Sequence, residues 1–482
     1  MATYHKSSTI PVTPEALFAW HERPGAFLRY SPPWQRMEVV KPIERLENGA
    51  TMVFRVKVAG TWMDWEVLHG GFVPGVQFFD EQVRGPFKRW KHLHRIEPAS
   101  GGALLVDDLD YELPGGAIGR AFAGSHSTRT IERLFNYRHQ RAAWDVPAHE
   151  RLGTGPMTVA ITGSSGLVGT QLAAYLAGAG HRVLRFVRRS RDSMAGGVVE
   201  SGGGGAGPLR GLVAGDIGWD PRSGWVEDGG LEGVDAVVHL AGAGVADARW
   251  TPERKHEILS SRELGTRALV DAIGASTNGP RVLVSGSAIG YYGRLESQWV
   301  DEGTPKGSGF LADVVDVWEK EARRAEAFGV RVAMMRFGII LSARGGALAK
   351  MLPPFRAGAG GRLGSGQQYM SWVGLDDVLS SIEWALAKGR GVINVVGPNP
   401  VTQAEFAATL GRVLSRPAVF PTPASAVKAL LGEMGENLLL GGARVRPGLL
   451  LEGGYEFHHP TAEAALRFEL GLSAIHQYGS ID

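Results

Sequence analysis

Three regularly spaced glycines follow a short apolar segment after the first third of the chain. Residues 158–162 are apolar and β-branched, and Gly163, Gly166 and Gly169 come directly after them. Gly163 would allow a tight turn, Gly166 a close approach of the backbone to a pyrophosphate, and Gly169 close packing of helix against strand. The helix predicted over 167–178 would present its free N–H groups and positive dipole end to the phosphates. The spacing therefore predicts a dinucleotide-binding site.

Two arginines stand where the second strand of such a site would end. The strand predicted over 183–187 is followed by Arg188 and Arg189, where a carboxylate would otherwise bind the ribose 2′-hydroxyl. Guanidinium groups bind a 2′-phosphate instead, so the pair favours NADP(H) over NAD(H). The alternative is that both arginines are solvated at a strand end.

A later apolar strand ends in small residues that would let the backbone pass beside the cofactor, although it also fits a buried strand with a turn. Together these segments define the predicted cofactor site. Its residues are Thr162, Gly163, Ser164, Ser165, Gly166, Leu167, Val168, Gly169, Arg188, Arg189, Leu240, Ala241 and Gly242.

The elements that must position this site alternate between strand and helix. Their predicted ranges are 158–162, 167–178, 183–187, 235–240, 253–275, 281–286, 311–328 and 331–335. This alternation predicts an α/β fold of the Rossmann type, a doubly wound parallel sheet with helices on both faces. We expect the glycine run at 202–205 to be a surface spacer.

The chain divides into three predicted domains. A ligand domain spans 1–148, a dinucleotide-binding domain spans 157–397, and a small C-terminal domain spans 398–482. A polar segment at 149–156 is typical of a linker. The length of 482 residues agrees with two to four domains, at about 100–200 residues each.

The first domain is rich in aromatic side chains and in alternating segments separated by turn residues. Such alternation predicts consecutive antiparallel strands, here preceded by a helix at 14–20 and followed by one at about 127–143. In the second helix we expect the arginines to lie on a solvated face and the apolar residues to point inward. The arginines are Arg129, Arg133, Arg138 and Arg141; the apolar residues are Ile131, Leu134 and Phe135.

This order of elements resembles the START/Bet v 1-like superfamily, the polyketide cyclase/dehydrase-like group. The resemblance covers most of 1–148 and rests on the pattern and on segments such as 32–34 and 85–87. It implies an α+β helix-grip fold with an apolar cavity between a curved sheet and the last helix, and hence a hydrophobic ligand. The alternative is that the aromatic side chains fill a solid core.

From 157 to 478 the chain resembles the extended short-chain dehydrogenase/reductases, in particular the atypical epimerase-family, or nucleoside-diphosphate-sugar-epimerase-like, subgroup. The segments that carry this resemblance are 162–169, 239–242, 261–262, 285–293, 309–312, 336–342, 361–367 and 371–377. The resemblance implies a small C-terminal domain of unknown function and hydride transfer on a carbonyl or alcohol carbon. The small-molecule substrate would lie at the carboxyl ends of the strands.

The resemblance also implies catalytic positions. Ser287 matches the serine that orients the substrate oxygen, Tyr291 follows in the matching Tyr-Gly neighbourhood, and Arg262 matches an arginine that replaces the usual asparagine. The Tyr-Lys pair of the family would fall on Leu311 and Val315, and neither can move a proton. Relatives often have cysteine in place of the lysine, and this chain has none.

Two interpretations of this departure stay open. In the first, Tyr291 or Tyr292 supplies a phenol while Arg262 or Arg336 stabilises negative charge on the substrate oxygen. In the second, the protein is a non-catalytic NADPH sensor or scaffold whose serine and tyrosines pack beside the cofactor.

Composition excludes several other classes of protein. The absence of cysteine excludes disulfides, thiol catalysis and cysteine-bound metal centres. With 51 basic and 49 acidic residues, we expect no general attraction to nucleic acid or acidic membranes. The pair His458–His459 lacks further ligands at metal-like spacing, so no metal site is predicted.

Targeting signals are equally sparse in the sequence. The segment 1–11 does not have a signal-peptide pattern, and the uncharged stretch at 157–180 is too rich in Gly, Ser and Thr for a transmembrane helix. We expect a cytoplasmic protein without a membrane span, and a homodimer stays open.

Overall fold

The computed structural model describes residues 2–58, 60–191, 209, 211–295 and 297–472, with the side chains of 116–124 outside that description. The predicted glycine spacer at 202–205 lies outside the described residues. Along the described stretches, no helix combines the length and the apolar character needed to cross a lipid bilayer.

The N-terminal part is a seven-stranded antiparallel sheet in the order β1-β7-β6-β5-β4-β3-β2, gripped by a long helix. Its elements are β1 (Ala2–Ile10), α1 (Pro14–Glu22), α2 (Gly25–Arg29), β2 (Met37–Lys41), β3 (Thr51–Val58), β4 (Thr61–Val73), β5 (Gln77–Arg84), β6 (Arg89–Ala99), β7 (Gly102–Glu112) and α3 (Gly116–Leu152). Alternate residues of β6 and β7 are buried, as expected for strands with one face on the core. This is the predicted helix-grip arrangement.

Helix α3 differs from its prediction at both ends and on one face, since it begins at Gly116 and not near Ser127. It continues to Leu152 instead of ending near Ala143, so the first half of the predicted linker is helical. Ile131 and Phe135 point inward as predicted. Arg141 does not lie on a solvated face: it is 2% exposed, because carboxylates from two helices surround its guanidinium.

The middle part is an eight-stranded sheet in the order β11-β10-β9-β8-β12-β13-β15-β19, parallel except for the β10–β11 pair. Its elements are β8 (Thr158–Thr162), α4 (Leu167–Ala179), β9 (Arg182–Arg188), β10 (Gly215–Asp220), β11 (Trp225–Val226), β12 (Ala236–His239), α5 (Pro252–Ala275), β13 (Val282–Ala288), a 3₁₀ turn (Ile289–Tyr292), β14 (Trp299–Val300), α6 (Phe310–Arg323), a second 3₁₀ turn (Arg324–Phe328), β15 (Arg331–Phe337), β16 (Ile339–Leu341), α7 (Gly346–Arg356), β17 (Tyr369–Met370), β18 (Trp372–Gly374), α8 (Leu375–Ala387) and β19 (Gly391–Val395).

Helices α4 and α8 cover one face of this sheet and α5 and α6 cover the other, each over a separate apolar core. The strands are buried on both faces and therefore almost continuously apolar. The predicted doubly wound Rossmann-type fold is confirmed.

The C-terminal part packs against α7 and the β16–β18 ladder. Its elements are β20 (Val401–Thr402), α9 (Gln403–Leu414), α10 (Ala424–Leu438), β21 (Arg444–Val445), α11 (Gly448–Glu452) and α12 (Ala462–Glu469). Thr402 and Glu405 form a reciprocal capping box at the start of α9, which fixes where that helix begins. Phe406 and Leu466, from α9 and α12, bury their side chains in the same core as Trp372.

A buried joint connects the N-terminal part to helices α4 and α8, which cover one face of the eight-stranded sheet. Helix α2 lies so close to α4 that a Cβ on Gly25 would stand 2.0 Å from the carbonyl oxygen of Ala174. Arg29 forms a bidentate pair with Asp145 at 2.6 and 2.8 Å. Asp376 at the start of α8 is shared between Arg29 and Arg141. We call Arg29, Arg141, Asp145 and Asp376 the joint cluster.

Candidate functional site

The predicted glycine turn adopts the backbone that its sequence requires. Gly163 has φ +69°, in the left-handed region that favours glycine, and its carbonyl accepts a hydrogen bond from the N–H of Gly166 at 3.0 Å. A Cβ on Gly169 would lie 2.3 Å from the carbonyl oxygen of Gly163. The two glycines therefore bring the start of α4 directly against the end of β8.

Helix α4 begins at Leu167, with Gly166 in extended conformation at the N-cap position. Because glycine has no side chain that could cap the helix, the first N–H groups of α4 are left to a ligand or to water. A helix start of this kind favours an anion. The cradle fits the pyrophosphate of a dinucleotide, which is the group that the sequence predicts there.

Thr162 ties the end of β8 to the end of β12. Its hydroxyl accepts from the N–H groups of Leu240 and Ala241 at 3.0 and 3.1 Å, and lies 2.8 Å from His239 Nδ1. Since the hydroxyl already accepts twice, its proton goes to Nδ1, and His239 Nε2–H donates to Thr266 at 3.0 Å. Burial and Arg262 lower the pKa of His239 to about 4, so the ring is neutral.

The two predicted phosphate-reading arginines differ in their surroundings. Arg188 ends β9 with an exposed side chain. Arg189 Nη2 lies 3.2 Å from Asp216 Oδ2, a carboxylate that also binds Arg185 Nε at 2.6 Å. Because β9 pairs with β8, both arginines lie beside the glycine turn, with Arg188 free of the Asp216 pairing.

Ser287 belongs to a buried polar network that the sequence did not indicate. Its hydroxyl donates to Glu319 Oε1 at 2.6 Å, and Glu319 forms a bidentate pair with Arg336, with both N···O distances 2.7 Å. Arg336 Nη1 donates to the Tyr292 hydroxyl at 3.0 Å, and that hydroxyl donates to Asn394 Oδ1 at 2.7 Å. We call these five residues the Ser287 network.

Tyr291 is a partly exposed neighbour of the network. The Arg336 guanidinium lies over the ring of Tyr291, 3.5 Å from its centroid, and Tyr291 is half-buried. Tyr292 is fully buried, and burial raises its pKa to about 12. Of the two tyrosines considered from sequence, Tyr291 is the one with an accessible side chain.

Arg262 lies apart from this network, at the end of β12. Its Nη1 donates to the carbonyl oxygens of Ala243 and Ile258 at 2.9 and 3.1 Å, and its guanidinium packs over the Trp318 ring. Burial, with a smaller effect of Arg254, lowers the pKa of Arg262 to about 10. The structure thus brings Ser287 and Tyr291 together through Arg336, and places Arg262 with the glycine-lined strand ends.

Glu319 and Asn394 are the network members that sequence reasoning missed. Leu311, Val315 and Glu319 follow one another at four-residue steps on α6 and so share one helix face. The carboxylate therefore stands one turn beyond the position where the related enzymes have lysine. The sequence signal for this pair is the acidic Glu319 on that helix face together with Arg336 on the strand that follows the helix.

The N-terminal domain contains a cavity of about 600 Å³. Its wall is mainly apolar and aromatic, from the sheet, α2 and α3, and includes Leu212 from the neighbouring domain. Polar side chains occupy part of the wall: Tyr30, His69, Asp80, His94 and Arg138. A cavity of this size and character suits a small-molecule ligand that is mostly apolar.

Comparisons with protein families divide the chain in the same order. The family described as "NAD dependent epimerase/dehydratase family" matches 159–397. "Polyketide cyclase / dehydrase and lipid transport" matches 10–136, and a domain of unknown function matches 422–469.

Relatives named epimerase family proteins are similar over the second and third parts. One from Mycobacterium bovis is 39% identical over 312 residues, which covers 64% of this chain and 96% of that protein. A chloroplastic homolog from Arabidopsis thaliana is 42% identical over 315 residues, covering 64% of this chain and 86% of that protein.

Two crystal structures extend the comparison. A nucleoside-diphosphate sugar epimerase from Corynebacterium glutamicum is 30% identical with a TM-score of 0.75, covering 97% of this chain and 90% of that one. A human epimerase family protein, solved with NADPH, is 32% identical with a TM-score of 0.55, covering 66% of this chain and 99% of that one. The first likeness includes the N-terminal domain.

Proposed function

The chain belongs to the epimerase family, and we propose that it binds NADP(H) and transfers hydride from NADPH to a carbonyl carbon, or from an alcohol carbon to NADP⁺, of a small-molecule substrate, as an oxidoreductase or isomerase. The observation that carries the proposal is the glycine turn, in which Gly163 and Gly169 hold the start of α4 open toward an anion. The human relative crystallised with NADPH supports the choice of cofactor. The exposed Arg188 at the ribose position agrees with it.

We assign proton exchange and charge stabilisation to different residues around the cofactor. NADPH supplies the hydride when it is bound. Tyr291 Oη would exchange a proton with the substrate oxygen, while Arg336 orients the phenol through its contact with the ring face. Arg262 would contribute positive charge on the side of the glycine-lined strand ends, since its guanidinium is bound by carbonyl groups, whereas the charge of Arg336 is neutralised by Glu319.

Ser287 has a narrower role in this proposal than the family resemblance implies. Its proton is donated to Glu319, so the hydroxyl can accept a hydrogen bond from a substrate but cannot donate one at the same time. Ser287 would therefore position a substrate hydroxyl or a water molecule, and would not polarise a carbonyl group.

A non-catalytic NADPH sensor is the second candidate function. It is favoured by Leu311 and Val315, which occupy the acid/base positions with apolar side chains, and by the engaged proton of Ser287. In this case the fraction of protein with NADPH bound would follow the NADPH concentration, and no reaction would take place.

Cofactor preference is tested by direct binding of NADPH and NADH. We expect the parent protein to bind NADPH at least about tenfold more tightly, and Arg188→Ala with Arg189→Ala to remove most of that difference. Arg182→Ala, at the opposite end of β9, is the matched control and should leave the ratio unchanged. Equal affinities in the parent would contradict the cofactor assignment.

Turnover separates the enzyme from the sensor. Oxidation of NADPH is followed with a panel of aldehydes and ketones. Nucleotide-linked sugars are incubated with protein and NADP⁺ and their products are analysed directly, because an isomerase returns the hydride and leaves no net change in cofactor. Any active pair is repeated with Tyr291→Phe. Loss of a general acid typically lowers the rate by about 10²–10⁴, with cofactor affinity preserved. Clear NADPH binding without turnover of any panel member would favour the sensor.

For the N-terminal cavity we propose a hydrophobic ligand. Native mass spectrometry of the purified chain tests this through the mass of a co-purified molecule, and the binding of a fluorescent fatty acid provides a second readout. A protein that carries nothing and binds no apolar probe would contradict the proposal. The domain limits 1–148, 157–397 and 398–482, a cytoplasmic location and a homodimer stay predictions.

A further inference from the structure

Three potential metal ligands lie together on the cavity-facing side of the N-terminal sheet. Asp80 on β5 is paired in register with His92 on β6, and His94 follows His92 two residues later. Residues at this spacing project from the same face of a strand. Asp80 and His94 line the cavity, and His92 is completely buried beside them.

The distances between their polar atoms match those around a single ion. Asp80 Oδ1 is 3.1 Å from His92 Nδ1 and 3.3 Å from His94 Nε2. One ligand atom from each of the three residues lies within 4.8 Å of the others. Metal–ligand bonds of about 2.0–2.2 Å place adjacent donor atoms roughly 3.0–3.5 Å apart, so both separations from Asp80 agree with those of adjacent metal ligands.

A second carboxylate supports both histidines from behind. Asp107 Oδ1 lies 3.0 Å from His92 Nε2 and 2.9 Å from His94 Nδ1, the ring nitrogens that do not face Asp80. Its other oxygen binds His139 Nε2 at 2.9 Å. Metal-bound histidines characteristically donate their second N–H to such a carboxylate, which fixes the tautomer and the ring orientation. His92 Nε2 is hydrogen-bonded to Asp107 in this way, whereas His94 Nδ1 is close to Asp107 without a hydrogen bond.

We propose that Asp80, His92 and His94 bind one divalent first-row transition metal ion, with the remaining coordination positions open to the cavity. Two histidines and one carboxylate form the ligand set of many iron(II) and zinc centres. The two carboxylates are paired with His92 in this structure, and a dication would take the place of the histidine protons between them. An oxygen atom of the cavity ligand could then complete the coordination.

Metal binding by the full chain tests the proposal. Protein stripped with a chelator is titrated separately with Zn²⁺, Co²⁺ and anaerobic Fe²⁺, and bound metal is measured by equilibrium dialysis with elemental analysis. We expect one equivalent per chain, and visible d–d bands on addition of Co²⁺. Asp80→Asn and His94→Gln should each weaken binding by at least about 100-fold, and Asp107→Asn, behind the ligand His92, by about 10–100-fold.

His5→Gln is the matched control, because His5 pairs with Asp108 on the exposed surface of the same sheet. It should leave stoichiometry and affinity unchanged. Folding of each variant is checked by circular dichroism, and a metal-dependent rise in melting temperature should occur in the parent and the control but not in Asp80→Asn. His94→Gln, at the cavity wall, serves if Asp80→Asn does not fold.

Two results would overturn the proposal. One is a folded parent that binds none of the three ions, which would make the cluster a hydrogen-bonded network alone. The other is metal binding that persists equally in Asp80→Asn and His94→Gln, which would place the ion elsewhere on the protein.

Discussion

The joint cluster and the Ser287 network are both buried guanidinium–carboxylate systems, yet they occupy different positions in the fold. The joint cluster connects α2, α3 and α8, and its four side chains are at most 4% exposed. The Ser287 network lies at the carboxyl ends of β13 and β15 and adjoins a half-buried tyrosine. Burial and charge are therefore similar, whereas access to a ligand differs.

This difference shows which buried charges belong to a candidate site. The joint cluster pairs two cations with two anions in the interior, and Arg141 also donates to the Tyr137 hydroxyl. In the Ser287 network all three nitrogens of one guanidinium are used, and the ring beneath it is left accessible. The first arrangement holds the N-terminal part against the sheet's helices, and the second would provide a rigid support beside the proposed reaction site.

Removal of Asp145 should have the largest effect on stability. Asp145→Ala leaves the buried Arg29 without its bidentate partner, and breaking such a pair costs about 3–5 kcal/mol in the free energy of unfolding. Urea denaturation followed by circular dichroism measures the change. The exposed Arg55–Asp64 pair provides the control, because Asp64→Ala should cost less than about 1 kcal/mol. Equal losses of unfolding free energy for Asp145→Ala and Asp64→Ala would show that the joint cluster stabilises the fold no more than an exposed ion pair does.

Neutralisation of Glu319 should have an intermediate effect. Glu319→Gln retains the shape of the side chain but removes the charge that faces Arg336, so we expect a loss of about 1.5–3 kcal/mol. The same denaturation experiment applies, with NADPH affinity as a second readout that should change little. Glu321→Gln, on the same helix but paired with exposed arginines, should cost less than about 1 kcal/mol. A smaller loss for Glu319→Gln than for Glu321→Gln would contradict the assignment.

The smallest effect concerns a carboxyl group close to the joint cluster. Burial, and secondarily the charge of Asp376, raise the pKa of Glu469 from 4.5 to about 7. The folded state therefore favours protonated Glu469, a contribution that is complete below about pH 4.5 and is lost as the pH rises through 7. Relative to Glu469→Gln, the parent should lose about 1–3 kcal/mol between pH 4.5 and pH 8.

Denaturation midpoints across this pH range measure the difference, with the exposed Glu452→Gln as control. A parent-to-variant difference that is constant with pH would show that Glu469 is not held in its neutral form.

The parts predicted from sequence are those governed by local physics. Gly163 and Gly169 could be assigned because a tight turn and a close approach restrict the residue type at that position alone. The order of strands and helices also follows from local sequence patterns, and it is confirmed by the structure. The resemblances to the epimerase family and to the polyketide cyclase group are confirmed by the family comparisons.

The parts that sequence reasoning missed depend on distant partners. Arg29 and Asp145 are 116 residues apart, and Arg29 and Asp376 are 347 residues apart. On a single helix, Arg141 is indistinguishable from a solvated arginine until the helix that brings Asp376 is in place. Asp80 and His94 likewise come together only through the register of two strands.

Helix α3 runs without interruption from the cavity to the joint. Arg138 lines the cavity, Arg141 and Asp145 belong to the joint cluster, and His149 binds Glu383 of α8 at 2.9 Å. One 37-residue helix of about 55 Å thus connects the cavity wall to the joint cluster. Unfolding of the helix at either end would leave the buried charges of the joint cluster without partners. We therefore expect the two domains to unfold on heating in a single cooperative transition, so that the ligand domain does not unfold alone.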